Sequence, residues 1–125
     1  MKKILTYCII LLVIASCNKK DQVNDKELPV IEVTSPVNMD AYRAGLIAPI
    51  KATITDNNKL AEIHVHIYDN ISGMLLLDIH RIPFGNTYSL YEGLQVQPAT
   101  DYKIQVVAID HSANQQVETR YIRGI

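Results

Sequence analysis

Ala61-Glu62-Ile63-His64-Val65-His66-Ile67 alternates apolar and polar side chains at every step. Side chains on a β-strand point to opposite faces with period two, whereas a helix repeats every 3.6 residues. The stretch therefore reads as a half-buried strand, with Ala61, Ile63, Val65 and Ile67 turned to a core and Glu62, His64 and His66 turned away. The same period recurs on both sides of it. Upstream lie Ile31 and Val33, then Ile50, Ala52 and Ile54. Downstream come Leu75, Leu77 and Ile79, then Tyr88 and Leu90, then Tyr102, Ile104, Val106 and Ala108, and last Val117, Thr119 and Tyr121. This predicts seven strands.

Turn formers punctuate the runs: Ser35-Pro36, Asp56-Asn57-Asn58, Asp69-Asn70, Ser72-Gly73, Gly85-Asn86, Pro98 and Asp110 to Asn114. Such residues join antiparallel strands through tight loops. Helix-period stripes are missing, which argues against parallel βαβ units. The expectation is an all-β, antiparallel two-sheet sandwich over residues 28–125.

Val96-Gln97-Pro98-Ala99-Thr100-Asp101-Tyr102-Lys103-Ile104 resembles the approach to strand F of fibronectin type III and related Ig-like domains. The resemblance implies that Tyr102 is a structural tyrosine-corner residue, with its ring in the core and its hydroxyl bonded to backbone a few residues upstream. Ala108-Ile109-Asp110, with Asn114, resembles the A-x-D-x-x-G-N ending of many bacterial Ig-like modules, with Ala113 where glycine is usual. Antibody-type Ig domains match poorly, because the chain has no Trp and no disulfide pair.

The start of the chain carries a different message. Lys2 and Lys3 precede an apolar stretch from Ile4 to Ala15, whose end forms the run Val13-Ile14-Ala15-Ser16-Cys17. This resembles a bacterial lipobox, which implies a signal peptide over 1–16 and lipidation of Cys17. The apolar stretch of 12 residues is short of the roughly 20 needed to span a bilayer. A plain secretory signal would not need a cysteine directly after Ile-Ala-Ser. Two or three acyl chains, at about 0.8 kcal/mol per buried methylene, would anchor the protein durably.

Cleavage would remove Cys8 and leave Cys17 alkylated, so no disulfide could form in the mature chain. It would also take Lys2 and Lys3 from the 12 basic residues while sparing all 13 acidic ones, leaving a net charge of −3. A weakly acidic chain with no basic cluster is a poor partner for nucleic acid. Residues 18–27 (NKKDQVNDKE) hold one apolar residue, Val23, and too little apolar surface to fold. Residues 17–27 thus read as lipidated cysteine and tether. The whole layout is similar to bacterial lipoproteins with one Ig-like domain, a resemblance that implies a fold and an envelope location, at the outer membrane, and brings no enzyme activity with it.

Chemistry-bearing residues fall into two groups. Glu62, His64 and His66 share the outward face of one strand. If Asp69 to Gly73 closes a hairpin centred on Ile71, His64 lies opposite Asp78 and Glu62 opposite His80. Imidazoles and carboxylates so placed suit Zn²⁺, Ni²⁺ or Cu²⁺. The alternative is a solvated strand face that includes histidines by chance, and a one-residue register slip would disperse the set. The second group is Asp56, Asn57 and Asn58 with Asp110 and Asn114, which a sandwich brings to one end as possible Ca²⁺ ligands. Calcium takes six to eight oxygens, and Asx-turns explain the same residues without an ion.

Enzymatic chemistry finds little footing. No G-x-S-x-G elbow or phosphate-binding glycine loop is present, and no free thiol would survive removal of Cys8 and lipidation of Cys17. Tyr88, Tyr102 and Tyr121 are expected inside, and Tyr68 and Tyr91 outside. The reading is a membrane-anchored, non-catalytic adhesion or scaffold module that meets an envelope protein or glycan. A metal-binding envelope lipoprotein using the histidines is the alternative, and a small carbohydrate-processing accessory is a third.

Overall fold

The computed structural model describes residues 24–125. The signal segment, Cys17 and residues 18–23 of the tether lie outside the described residues. Eight strands follow in order: β1 (Val30–Ser35), β2 (Asp40–Tyr42), β3 (Ile47–Thr55), β4 (Leu60–Asp69), β5 (Leu75–Arg81), β6 (Thr87–Gln95), β7 (Asp101–Asp110) and β8 (Gln115–Gly124). One sheet has the order β1-β3-β6 and the other β2-β8-β7-β4-β5. The seven expected runs are all strands. The eighth, β2, is three residues long and pairs in parallel with β8, opposite Ile122 to Gly124. It carries no alternation that could announce it.

The core forms where the period-two faces meet. Ala48, Ile50, Ala52 and Ile54 of β3, with Leu90 and Leu94 of β6, oppose Ile63, Val65 and Ile67 of β4 and Tyr102, Ile104, Val106 and Ala108 of β7. Each fully buried aliphatic side chain contributes roughly 1.5 to 3 kcal/mol relative to exposure. Tyr102 is 2% exposed, and its hydroxyl accepts a hydrogen bond from the backbone N–H of Gln97 at 2.8 Å.

The flanks are closed by charged groups. Arg81 at the end of β5 reaches Glu92 of β6 with N···O 2.7 Å. On the opposite flank Arg120 of β8 donates to the carbonyl of Val33 on β1 at 3.4 Å. Inward-pointing charge at a sheet margin discourages edge-to-edge association. It also explains where alternation misleads. On β8 the inward parity belongs to Gln116, Glu118, Arg120 and Ile122, which pair with Ala108, Val106, Ile104 and Tyr102. Val117, Thr119 and Tyr121 consequently face out, and Tyr121 is exposed rather than inside. Tyr88 is half-buried against the core, and Tyr91 is exposed.

The β4-β5 hairpin departs from the expected register. Its loop closes with Asp69 N–H donating to the Met74 carbonyl at 2.9 Å and Gly73 N–H donating to the Asp69 carbonyl at 2.8 Å, so that Tyr68 faces Leu75, one residue beyond a register centred on Ile71. Gly73, at φ 74°, takes the left-handed turn, while the Asp69 carboxylate accepts from Ile71 N–H at 2.8 Å and Ser72 N–H at 3.0 Å. A bulge next to Tyr68 then adds a second one-residue shift. As a result His64 faces His80, and His66 faces Asp78. Two shifts in the same direction restore parity, so the outward set stays together with different partners. Leu75 and Leu77 are largely exposed because β5 is an edge strand, and only Ile79 packs against the core.

Candidate functional site

β4 and β5 hold the histidine face. His64 Nε2 lies 3.0 Å from Glu62 Oε2, and His66 Nε2 lies 3.4 Å from Asp78 Oδ1. His80 Nε2 is 3.6 Å from Glu62 Oε2, and its ring stacks on that of His64 with centroids 4.5 Å apart and planes tilted by 5°. Two ligand groups result, Glu62-His64-His80 and His64-His66-Asp78, each with donor atoms within 4.8 Å of one another. His64 belongs to both. Its Nδ1 is buried without a hydrogen-bond partner, with Asp78 Oδ1 at 3.8 Å. Tetrahedral Zn²⁺ at about 2.0 to 2.2 Å from its ligands sets donor atoms roughly 3.3 to 3.6 Å apart, close to the His66–Asp78 separation.

Beside these imidazoles the outer face of the five-stranded sheet mixes Val107, Ile109 and Val117 with Gln105 and Gln115. His64 and His66 border an open groove of about 330 Å³, with Val107, Ile109 and Val117 along its other side. Val107 faces outward yet is 7% exposed. His64 pairs with Val107, and Val107 with Val117, so the groove crosses three adjacent strands. Further along, Lys103 Nζ sits 4.4 Å from the Tyr68 ring centroid, a cation–π contact at the rim.

The second group sits at one pole of the sandwich. Asp110 anchors the β7-β8 turn: its Oδ1 accepts from Ser112 N–H and Asn114 N–H, both at 2.8 Å, and its Oδ2 from the Asn114 side-chain amide at 2.7 Å. Ala113 takes the left-handed conformation, φ 65°, that glycine usually fills there. Asp56 Oδ2 accepts from Asn58 N–H at 3.0 Å, forming an Asx-turn. Asn114 and Asn57 direct amide nitrogens, not oxygens, towards neighbouring acceptors. Asp25, within the segment that reads as tether, completes the group. Its carboxylate meets Asp56 and Asp110, with oxygens of all three within 4.8 Å of one another. Nothing in the local sequence around Asp25 marks it, because the contact spans most of the chain.

Elsewhere among the described residues the environment shifts two titratable groups. Backbone N–H groups of Ser72 and Ile71 hold the Asp69 carboxyl below its ordinary value, and the hydrogen-bonded carboxylate of Asp101 raises the Arg123 guanidinium. Asp101, Tyr102, Tyr121 and Arg123 border a depression of about 280 Å³ beside the start of β7, at the other end of that strand from Asp110.

No protein-family model matches the chain, and no curated protein matches it. Its likeness is to solved structures. Fibronectin(III)-like modules of CbhA from Clostridium thermocellum align with a TM-score of 0.51 at 16% identity, over 76% of this chain and 94% of theirs. A superoxide reductase (neelaredoxin) from Ignicoccus hospitalis aligns with a TM-score of 0.54 at 10% identity, over 79% of this chain and 81% of its own. At such identities the likeness establishes the fold alone: an Ig-like, fibronectin III-like β-sandwich.

Proposed function

We propose that this chain is a membrane-anchored, non-catalytic Ig-like module that acts on the bacterial envelope, at the outer membrane, by presenting the outer face of its five-stranded sheet to a protein or glycan. The observation that carries the reading is the open groove itself, where imidazole and carboxylate groups of β4 and β5 stand beside Val107, Ile109 and Val117. Mixed apolar and hydrogen-bonding surface of this kind favours recognition. The lipobox-like run ending at Cys17 supports the anchor. No nucleic acid partner is invoked. The test is a photo-crosslinking residue placed at Gln105 or Thr119 on this face, or at Lys51 on the other sheet, in the full chain expressed in a bacterial envelope. Products confined to Gln105 and Thr119 support the reading, and equal products from Lys51 refute it.

One observation favours a second reading. The partnerless, buried Nδ1 of His64 and the two donor sets that share this residue suit a Zn²⁺-type ion bound by Glu62, His64, His66, Asp78 and His80. On this reading zinc raises the melting temperature of the purified chain, and His64→Ala abolishes the shift. An unchanged melting curve with equimolar zinc eliminates it.

A further inference from the structure

We infer that Asp25, Asp56 and Asp110 form a Ca²⁺ site that clamps the N-terminal stem to the pole of the sandwich. Their exposures are 8%, 6% and 2%, so three carboxylates are almost wholly withdrawn from water within one small volume. Burial of like charges at such distances is strongly unfavourable unless a cation or a proton compensates. Among the described residues, none of the ion pairs involves these three groups.

The hydrogen bonding singles out two oxygen atoms as candidate ligands. Asp25 Oδ1 accepts from Glu27 N–H and from the Asn57 amide, both at 3.0 Å, while its Oδ2 is buried with no partner. Asp56 Oδ2 serves the Asn58 turn, while its Oδ1 is likewise buried with no partner. Asp25 and Asp56 thus each commit one oxygen to hydrogen bonds and leave the other bare beside its neighbours, while both oxygens of Asp110 are engaged in its own turn. Buried polar atoms without partners are rare in folded proteins, and two in one acidic cluster point to a ligand.

Oxygen-only donors with no imidazole or thiolate select a hard cation. Ca²⁺ accommodates carboxylates projecting from three separate loops, with water or carbonyl groups completing its shell, better than the smaller and geometrically stricter Mg²⁺. The Asn114 amide, which donates to the Asp25 carbonyl at 3.0 Å, pins the stem beside the same ion. Asp25 lies eight residues after Cys17, a span of at most about 26 to 29 Å if fully extended. Binding at Asp25 would therefore fix how the sandwich stands over the membrane, and only this consequence rests on the lipid-anchor reading.

The experiment titrates CaCl₂ into chelator-stripped full chain in detergent, reading melting temperature and hydrogen exchange of residues 24–28. Saturable stabilisation with a midpoint of about 0.1 to 1 mM, the range of extracellular calcium modules, is expected, together with slowed exchange at Glu27. Asp25→Asn and Asp56→Asn keep the shapes of their turns and should each weaken Ca²⁺ binding by about tenfold or more. No Ca²⁺-dependent change in the unaltered protein overturns the inference, as does a Ca²⁺ response that persists in both variants. Stabilisation by acid with no response to Ca²⁺ would assign the compensation to a shared proton and overturn it equally.

Discussion

Tyr102→Phe isolates one hydrogen bond in this fold. The ring stays in the core, while the Gln97 N–H loses the acceptor it meets at 2.8 Å. Leaving a buried donor unsatisfied costs about 1 to 3 kcal/mol. Gln97 itself is exposed, so water recovers part of this, and we expect about 1.5 kcal/mol. For a domain of this size that lowers Tm by about 6 to 9 °C. In urea the midpoint should fall by about 0.5 to 1.5 M with unchanged slope, which marks a loss of stability rather than a change in compactness. Tyr91→Phe is the control, since Tyr91 is 71% exposed and its substitution should stay within about 0.5 kcal/mol. Equal effects from the two substitutions would refute the reasoning. They would mean that the Val96 N–H to Leu46 carbonyl and Gly45 N–H to Val96 carbonyl bonds hold the turn without the hydroxyl.

Further perturbations probe the loops and flanks. Ala113→Gly relieves a left-handed alanine at φ 65°, and after the added freedom of the unfolded chain should stabilise by about 0.5 to 1 kcal/mol in the same urea assay. The Asp69 carboxyl is held below its ordinary value by the Ser72 and Ile71 amides. Its contribution to the β4-β5 turn is therefore complete above the ordinary aspartate range and fades as pH falls through the lower folded value. NMR shifts of the Ile71 and Ser72 amides should titrate at that lower value, and lose the transition in Asp69→Ala. Arg81→Ala leaves the mostly buried Glu92 carboxylate unpaired and should cost about 1 to 2 kcal/mol, whereas Arg81→Leu combined with Glu92→Leu should cost less by thermal melting.

The outward histidine face was legible because side-chain parity needs no knowledge of pairing: Glu62, His64 and His66 alternate with Ile63, Val65 and Ile67. Their partners were not legible. A closure on Asp69/Met74 and a bulge beside Tyr68 each move the register by one residue, and both depend on backbone geometry that the composition of a turn does not specify. The exposure of Leu75 and Leu77 has a similar origin. An apolar strand is buried only if another sheet covers it, and β5 lies at an edge.

What the sequence by itself determined is the period-two chemistry of each strand, the turn residues between them, and with these an all-β sandwich whose core includes Tyr102. What only the tertiary structure decided is which distant groups meet. Asp25 sits in a polar stretch indistinguishable from tether, and it reaches Asp110 from 85 positions away. Local patterns record which way a side chain faces, since that follows from the backbone of its own strand. Convergence of three carboxylates follows from the packing of the two sheets and the path of the stem, and no single segment contains it.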